Sequence, residues 1–249
     1  MKHLLALLVL SLHINGHVGM DIIGGYEVAQ HSRPYMALLM LNGECGGALI
    51  RPTWILSAAH CNVDSTSYAV LGAHRREDAR VQKIRIKRGI KFPLYDKVRK
   101  INDIQLLELE KSVMLNKFVA LLPLPKSEKI IQAGKSCSVA GWGITDVMTK
   151  SNVLREVNLA IVDNKDCNKK YNRKNLTITG SMMCASSPKI NRKAGPCAGD
   201  SGGPLICDGT YVGLVSYGIG NCGNPEFPGV YTRLTNNYLK WISNIIGMD

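Results

Sequence analysis

The stretch Gly199-Asp200-Ser201-Gly202-Gly203-Pro204 decides how this 249-residue chain is read. A serine stands directly after an aspartate and among glycines. Glycine lets the backbone bend tightly, so that main-chain N–H groups converge on a developing negative charge. A serine held there attacks a carbonyl when a histidine takes its proton. Alone, such a run is also an ordinary turn, so its company matters. Only His31, His60 and His74 lie beyond residues 1–19, and His60 lies in Leu56-Ser57-Ala58-Ala59-His60-Cys61. Asp103 precedes Ile104-Gln105-Leu106-Leu107, a flank apolar enough to bury a carboxylate.

Ala58-Ala59-His60-Cys61, Asn102-Asp103-Ile104 and Gly199-Asp200-Ser201-Gly202-Gly203-Pro204 resemble the three catalytic blocks of the trypsin/chymotrypsin family, in that family's chain order. The resemblance runs from Ile22 to the C terminus. It implies an all-β fold, two packed antiparallel β-barrels of the trypsin-like type with the active site between them and a crossover near Leu122-Pro123-Leu124-Pro125. It implies Ser201 as nucleophile and His60 as base and then acid. Asp103 would fix the imidazole tautomer, as in the family's own worked mechanism. Ser216 matches the serine that helps hold that aspartate, and the N–H groups of Gly199 and Ser201 match the oxyanion hole. The family's disulfide pattern implies Cys45–Cys61, Cys137–Cys207, Cys167–Cys184 and Cys197–Cys222. Eight cysteines alone allow 105 connectivities. A zinc site is the competing reading, disfavoured by the lack of a Cys-x-x-Cys pair or clustered histidines.

Ile22-Ile23-Gly24-Gly25 resembles the family's new N terminus after activation, whose ammonium would turn inward and pair with Asp200. The preceding residue is Asp21, not Lys or Arg. With a cut after Gly19, Met20-Asp21 resembles the two-residue propeptides of granzymes and mast-cell proteases, and Pro34-Tyr35-Met36-Ala37 also looks like that branch. Residues 1–19 are expected to be a signal peptide, since Lys2 and His3 precede an apolar run, Leu4–Leu12, too short to span a membrane. Residues 20–21 would then be the activation dipeptide and 22–249 the protease domain.

Alignment on Ser201 and the cysteines puts Gly195 at the base of the primary specificity pocket and Gly218 and Gly229 on its walls. Trypsin-like members carry aspartate at that base. Three glycines leave an open, uncharged slot, and burying apolar surface there is worth about 25 cal/mol per Å². Cleavage after Phe, Tyr, Leu or Met is therefore expected. Glu226 is the competing feature: swung into the pocket, it would admit basic residues. Ser216, Tyr217 and Gly218 should offer main-chain groups to an extended substrate, like an added strand.

Bulk properties agree with a secreted globular chain. Hydrophobic residues make up 45%, ordinary for a packed domain. No internal run is long enough for a membrane span, and eight cysteines behind a leader point to an oxidising compartment. The net charge is +12, with eleven Lys or Arg between Arg75 and Lys100 against Glu77, Asp78 and Asp96. Heparin-like polyanions or a granule matrix are the partners this suggests; the plain alternative is a well-hydrated surface. Sparse aromatics there argue against nucleic acid. Short β-rich runs separated by Gly, Pro, Asn and Asp fit a sandwich or barrels, which composition does not separate. Thr235 with Tyr238, Leu239, Trp241, Ile242, Ile245 and Ile246 predicts a C-terminal helix, set against the second barrel. Asn175-Leu176-Thr177 is a glycosylation sequon. No metal and no cofactor are expected, and Arg75, Arg76 and Arg80 stand where some relatives bind calcium. All cysteines being paired, a monomer is expected, with polypeptide substrates and serpin-type inhibitors as partners. A second class of function, a cationic binding protein on an inactive protease scaffold, requires a lost triad residue, and all three are present.

Overall fold

In the computed structural model, residues 22–146 and 148–247 are described. The expected leader, its cut after Gly19 and the dipeptide Met20-Asp21 lie outside the described residues. In chain order the elements are β1 (Tyr26–Glu27), β2 (Met36–Leu41), β3 (Gly43–Arg51), β4 (Trp54–Ser57), β5 (Tyr68–Leu71), β6 (Gln82–Lys91) and β7 (Gln105–Leu109). There follow β8 (Ser136–Gly141), β9 (Arg155–Val162), α1 (Asn164–Asn172), β10 (Met182–Ser186), β11 (Pro204–Cys207), β12 (Thr210–Tyr217), β13 (Gly229–Arg233) and α2 (Asn236–Ile246).

Period-2 alternation is plain in β6, whereas β2, β3 and β12 carry continuous runs buried on both faces. In β6, Ile84 and Ile86 are buried while Lys83, Arg85 and Lys87 face solvent. Strands β2-β3-β4-β7-β6-β5 close into one antiparallel barrel. Strands β9-β10-β13-β12-β11-β8 close into a second through the β8–β9 pairing, with β1 added along the first residues of β9. Closure leaves no long free edge to recruit another chain. Residues 110–135, which include Leu122-Pro123-Leu124-Pro125, connect β7 to β8.

Each barrel has its own core. Leu39, Leu49, Ile55, Leu106 and Leu107 fill the first, and Val139, Val157, Leu205 and Tyr231 the second. A third cluster mixes residues of both, with Met36, Leu38 and Val70 against Ala140, Trp142 and Leu154. Disulfides join Cys45–Cys61, Cys137–Cys207, Cys167–Cys184 and Cys197–Cys222.

Helix α2 corrects one expectation. Thr235 caps it, accepting from the Tyr238 N–H, and Gly247 ends it in the left-handed region. Its apolar face, however, joins the core cluster of the first barrel, where Tyr238 and Ile242 are fully buried. The Phe92 ring stands edge-on to Tyr238 at 4.9 Å and to Trp241 at 5.4 Å, an arrangement aromatic quadrupoles favour. The partner for those aromatics lies on the first barrel, so the chain crosses back after β13 to reach it.

Candidate active site

His60 sits in the turn that follows β4. The Cys61 N–H closes that turn on the Ala58 carbonyl, and the buried Gln105 side chain donates to the carbonyls of Ala58 and Cys61 at 2.8 and 2.6 Å. The Cys45–Cys61 disulfide ties the same turn to β3. Asp103, fully buried just before β7, accepts from His60 Nδ1 at 2.7 Å and from the His60 backbone N–H at 2.9 Å. Ser216 Oγ donates to its Oδ2 at 2.5 Å, and Thr232 Oγ1 donates to its backbone carbonyl at 2.9 Å. Four hydrogen bonds thus hold one carboxylate residue that water does not reach. Ser216 reaches it because the β12–β13 register shifts between Val215 and Tyr217; such a bulge re-aims a side chain.

Ser201 comes from the other barrel. Its carbonyl accepts the Gly46 N–H at 2.8 Å, and the Gly202 N–H donates to Val215 at 2.8 Å. Gly202 adopts φ +83°, and a Cβ there would lie 2.2 Å from Ser57 Oγ and 2.7 Å from the Ala58 nitrogen. Only glycine lets the serine loop press against the turn that carries His60. Gly199 adopts φ +104°, turning its N–H as an ordinary residue would not without strain.

Asp200 is fully buried and accepts the N–H of Gly143 at 2.8 Å and of Cys197 at 2.9 Å. Burial pushes its carboxyl up to about 6, against the opposing pull of those two N–H groups and of the Arg76 charge. Ile22 is fully buried and bridges Thr145 in the same loop.

Beside Ser201 lies a cavity of about 170 Å³. Gly195, Ser216, Tyr217, Gly218 and Gly229 line it, and no charged side chain does among the described residues. The Cys197–Cys222 disulfide ties together two of its lining segments. Glu226 is not among the lining residues: it is exposed and pairs with Arg173 at 3.1 Å. Asn175 is exposed in the turn after α1. The basic segment is partly neutralised, since Lys87 and Arg88 both pair with Glu108 and Arg85 with Glu110. Among the described residues, Cys45, His60 and Cys61 form a cluster of metal-ligand type, but both sulfurs are spent in a disulfide. No helix of the described residues is long and apolar enough to cross a membrane.

Several supports of the site carried no motif. Gln105 and Thr232 are polar residues inside apolar strands, and that interruption is the only sequence sign of them. Asn102 adopts φ +58° and accepts the Tyr238 hydroxyl at 2.6 Å, a contact from α2 that no local pattern announces.

The chain matches the Trypsin family over residues 22–242. It is 43% identical to bovine Granzyme A over 90% of this chain and 88% of that one, and 37% identical to human Granzyme M over 98% and 96%. Its structure resembles that of neuropsin, a serine protease expressed in the limbic system of mouse brain, with a TM-score of 0.80 at 33% identity, covering 89% of this chain and 98% of that one. The chain therefore belongs to the trypsin family of serine proteases, in its granzyme branch, and is a serine endopeptidase.

Proposed function

We propose that Ser201, His60 and Asp103 carry the reaction and that the enzyme prefers large apolar residues on the acyl side of the cleaved bond. Ser201 Oγ attacks the substrate carbonyl as His60 Nε2 takes its proton. The new oxyanion lies against the N–H groups of Gly199 and Ser201, an interaction worth about 3–4 kcal/mol per donor in the barrier. His60 then gives the proton to the departing amine, and water repeats the cycle on the acyl-enzyme. Asp103 holds Nδ1–H and balances the imidazolium charge. Ser216, Tyr217 and Gly218 pair with the extended substrate.

The observations that carry the reading are the 2.7 Å bond from His60 to the buried Asp103 and the place of Ser201 in the lining of an uncharged cavity. Gly195, Gly218 and Gly229 leave that cavity open to a Phe, Tyr, Leu or Met side chain, whose burial is worth about 1.5–3 kcal/mol. The Arg173 contact that keeps Glu226 outside supports the apolar preference over a basic one. Activation follows from Asp200: a released Ile22 ammonium gives the buried carboxylate a countercharge. Removal of Met20-Asp21, secretion or granule storage, a glycan on Asn175, control by serpin-type inhibitors and a monomeric state complete the proposal. Polyanion binding by the basic segment accompanies catalysis in this reading.

Fluorophosphonate labelling of the mature enzyme and of Ser201→Ala tests the chemistry. Label should enter only the former, and peptide cleavage should fall by at least about 10⁴-fold in the variant, a scale this family's own triad supplies. A panel of Phe, Leu, Arg and Asp peptides tests the pocket; preference for Arg would reject the apolar reading.

A further inference from the structure

The loop that carries the oxyanion donors does not stand alone. Residues 198–200 hang from residues 143–144: the Ile144 N–H donates to Ala198 at 2.9 Å, and the Gly143 N–H donates to Asp200 Oδ1. The segments 142–146 and 148–151 of the second barrel close on one another, with Ser151 N–H on the Gly143 carbonyl and a bridge from Ile144 to Lys150. Both segments are held by one side chain of the first barrel. Arg76 Nε donates to the Ser151 carbonyl at 2.7 Å, and its second terminal nitrogen donates to the Trp142 carbonyl at 2.6 Å. The remaining terminal nitrogen donates to Glu44 Oε2, on β3, at 2.9 Å, and Lys150 Nζ pairs with the other oxygen of Glu44 at 3.0 Å. The backbone adds to the clamp: Arg76 N–H donates to Asn152, Arg75 bridges Val153, and the His74 carbonyl accepts Trp142 Nε1 and the Leu154 N–H.

From this geometry we propose that Arg76 is a positioning residue for the oxyanion hole. It fixes segments 142–146 and 148–151, and through Gly143 and Ile144 it sets where the Gly199 and Ser201 N–H groups point. The proposal rests on the assignment of those two N–H groups made above. A planar guanidinium satisfies two carbonyls and a carboxylate together, and an ammonium does not have that fork. Arg76 is the first-barrel charge that acts on Asp200, so the clamp also favours the ionised carboxylate. Arg76 lies in the basic segment, yet its charge is spent internally on these contacts.

The test compares the mature enzyme with Arg76→Met, Arg76→Lys and Ser201→Ala on one peptide whose apolar side chain fills the cavity. Arg76→Met should lower kcat at least about tenfold while KM stays within about threefold, because donors aimed at the transition state act on turnover. Arg76→Lys keeps the charge but should retain most of that loss. A tetrahedral peptide boronate should lose affinity in parallel with kcat, which a general loss of packing does not require. If Arg76→Met does not fold, Arg76→Lys decides by the same criteria. Parent-like kcat in the folded variant, or a loss confined to KM, overturns the proposal. An active Ser201→Ala would instead overturn the acyl-transfer reading from which that assignment follows.

Discussion

The two barrels hold their halves of the site by different physics. In the first, His60 and Asp103 are fixed by neutral structure: buried strands, the Gln105 amide, a disulfide and the Tyr238 contact. In the second, Ser201 and its flanking donors are shaped by the carboxylate of Asp200, which burial holds at about 6. A buried carboxylate whose charge is costly is a poor anchor until a countercharge arrives, and then a strong one. Under the proposed activation, one half is built permanently and the other conditionally.

That contrast is broken most directly where the halves touch. Gly202→Ala forces a Cβ into Ser57 and Ala58 and a side chain into a left-handed conformation. Stability should fall by about 3 kcal/mol or more, read by chemical denaturation. A smaller effect is expected from Asp200 itself. Its folded value lies above the ordinary 3.8, so the uncleaved chain binds that proton more tightly folded than unfolded. Stability is then lost as pH rises from about 4 through 6, by roughly 3 kcal/mol in all, and stays flat above. Unfolding curves of uncleaved parent and Asp200→Asn against pH should differ in that window, and release of the Ile22 amine should abolish the loss.

The first barrel's half is probed by Ser216→Ala. Removing a donor to a buried carboxylate costs about 1.5–3 kcal/mol, so kcat/KM should fall about tenfold or more with the fold retained. Glu226→Gln should do least. The exposed Arg173 pair is worth at most about 1 kcal/mol, and the ratio of Phe to Arg cleavage should stay within about twofold.

Much of the fold was legible because it repeats local signals. β4 and β5 are short apolar runs, Trp54–Ser57 and Tyr68–Leu71, set off in the sequence by Pro52 before the one and Gly72 after the other. β6 is different: Ile84 and Ile86 alternate with Lys83, Arg85 and Lys87, and so many cations in one segment read first as a charged surface rather than as a strand. α1 escaped because only Cys167 and Tyr171 are buried along it, too narrow a stripe to show a helical period. For the site, the three blocks surrounding His60, Asp103 and Ser201 were visible as motifs. Gln105, Thr232 and Arg76 were not, because their partners are mostly backbone carbonyls distant in sequence, and a carbonyl leaves no mark on a residue's identity. The placement of α2 failed for a similar reason. Its amphipathic face was readable, but which surface offered Phe92 was not.

The seat of α2 has a consequence for biosynthesis. A ribosome emits the chain from its N terminus, and domains assemble as they appear. The barrel bearing His60 and Asp103 is finished early, yet its apolar wall stays uncovered until residues 236–246 emerge. The barrel that sets His60 against Asp103 is thus translated first and completed last, its wall closed only when nearly the whole polypeptide exists.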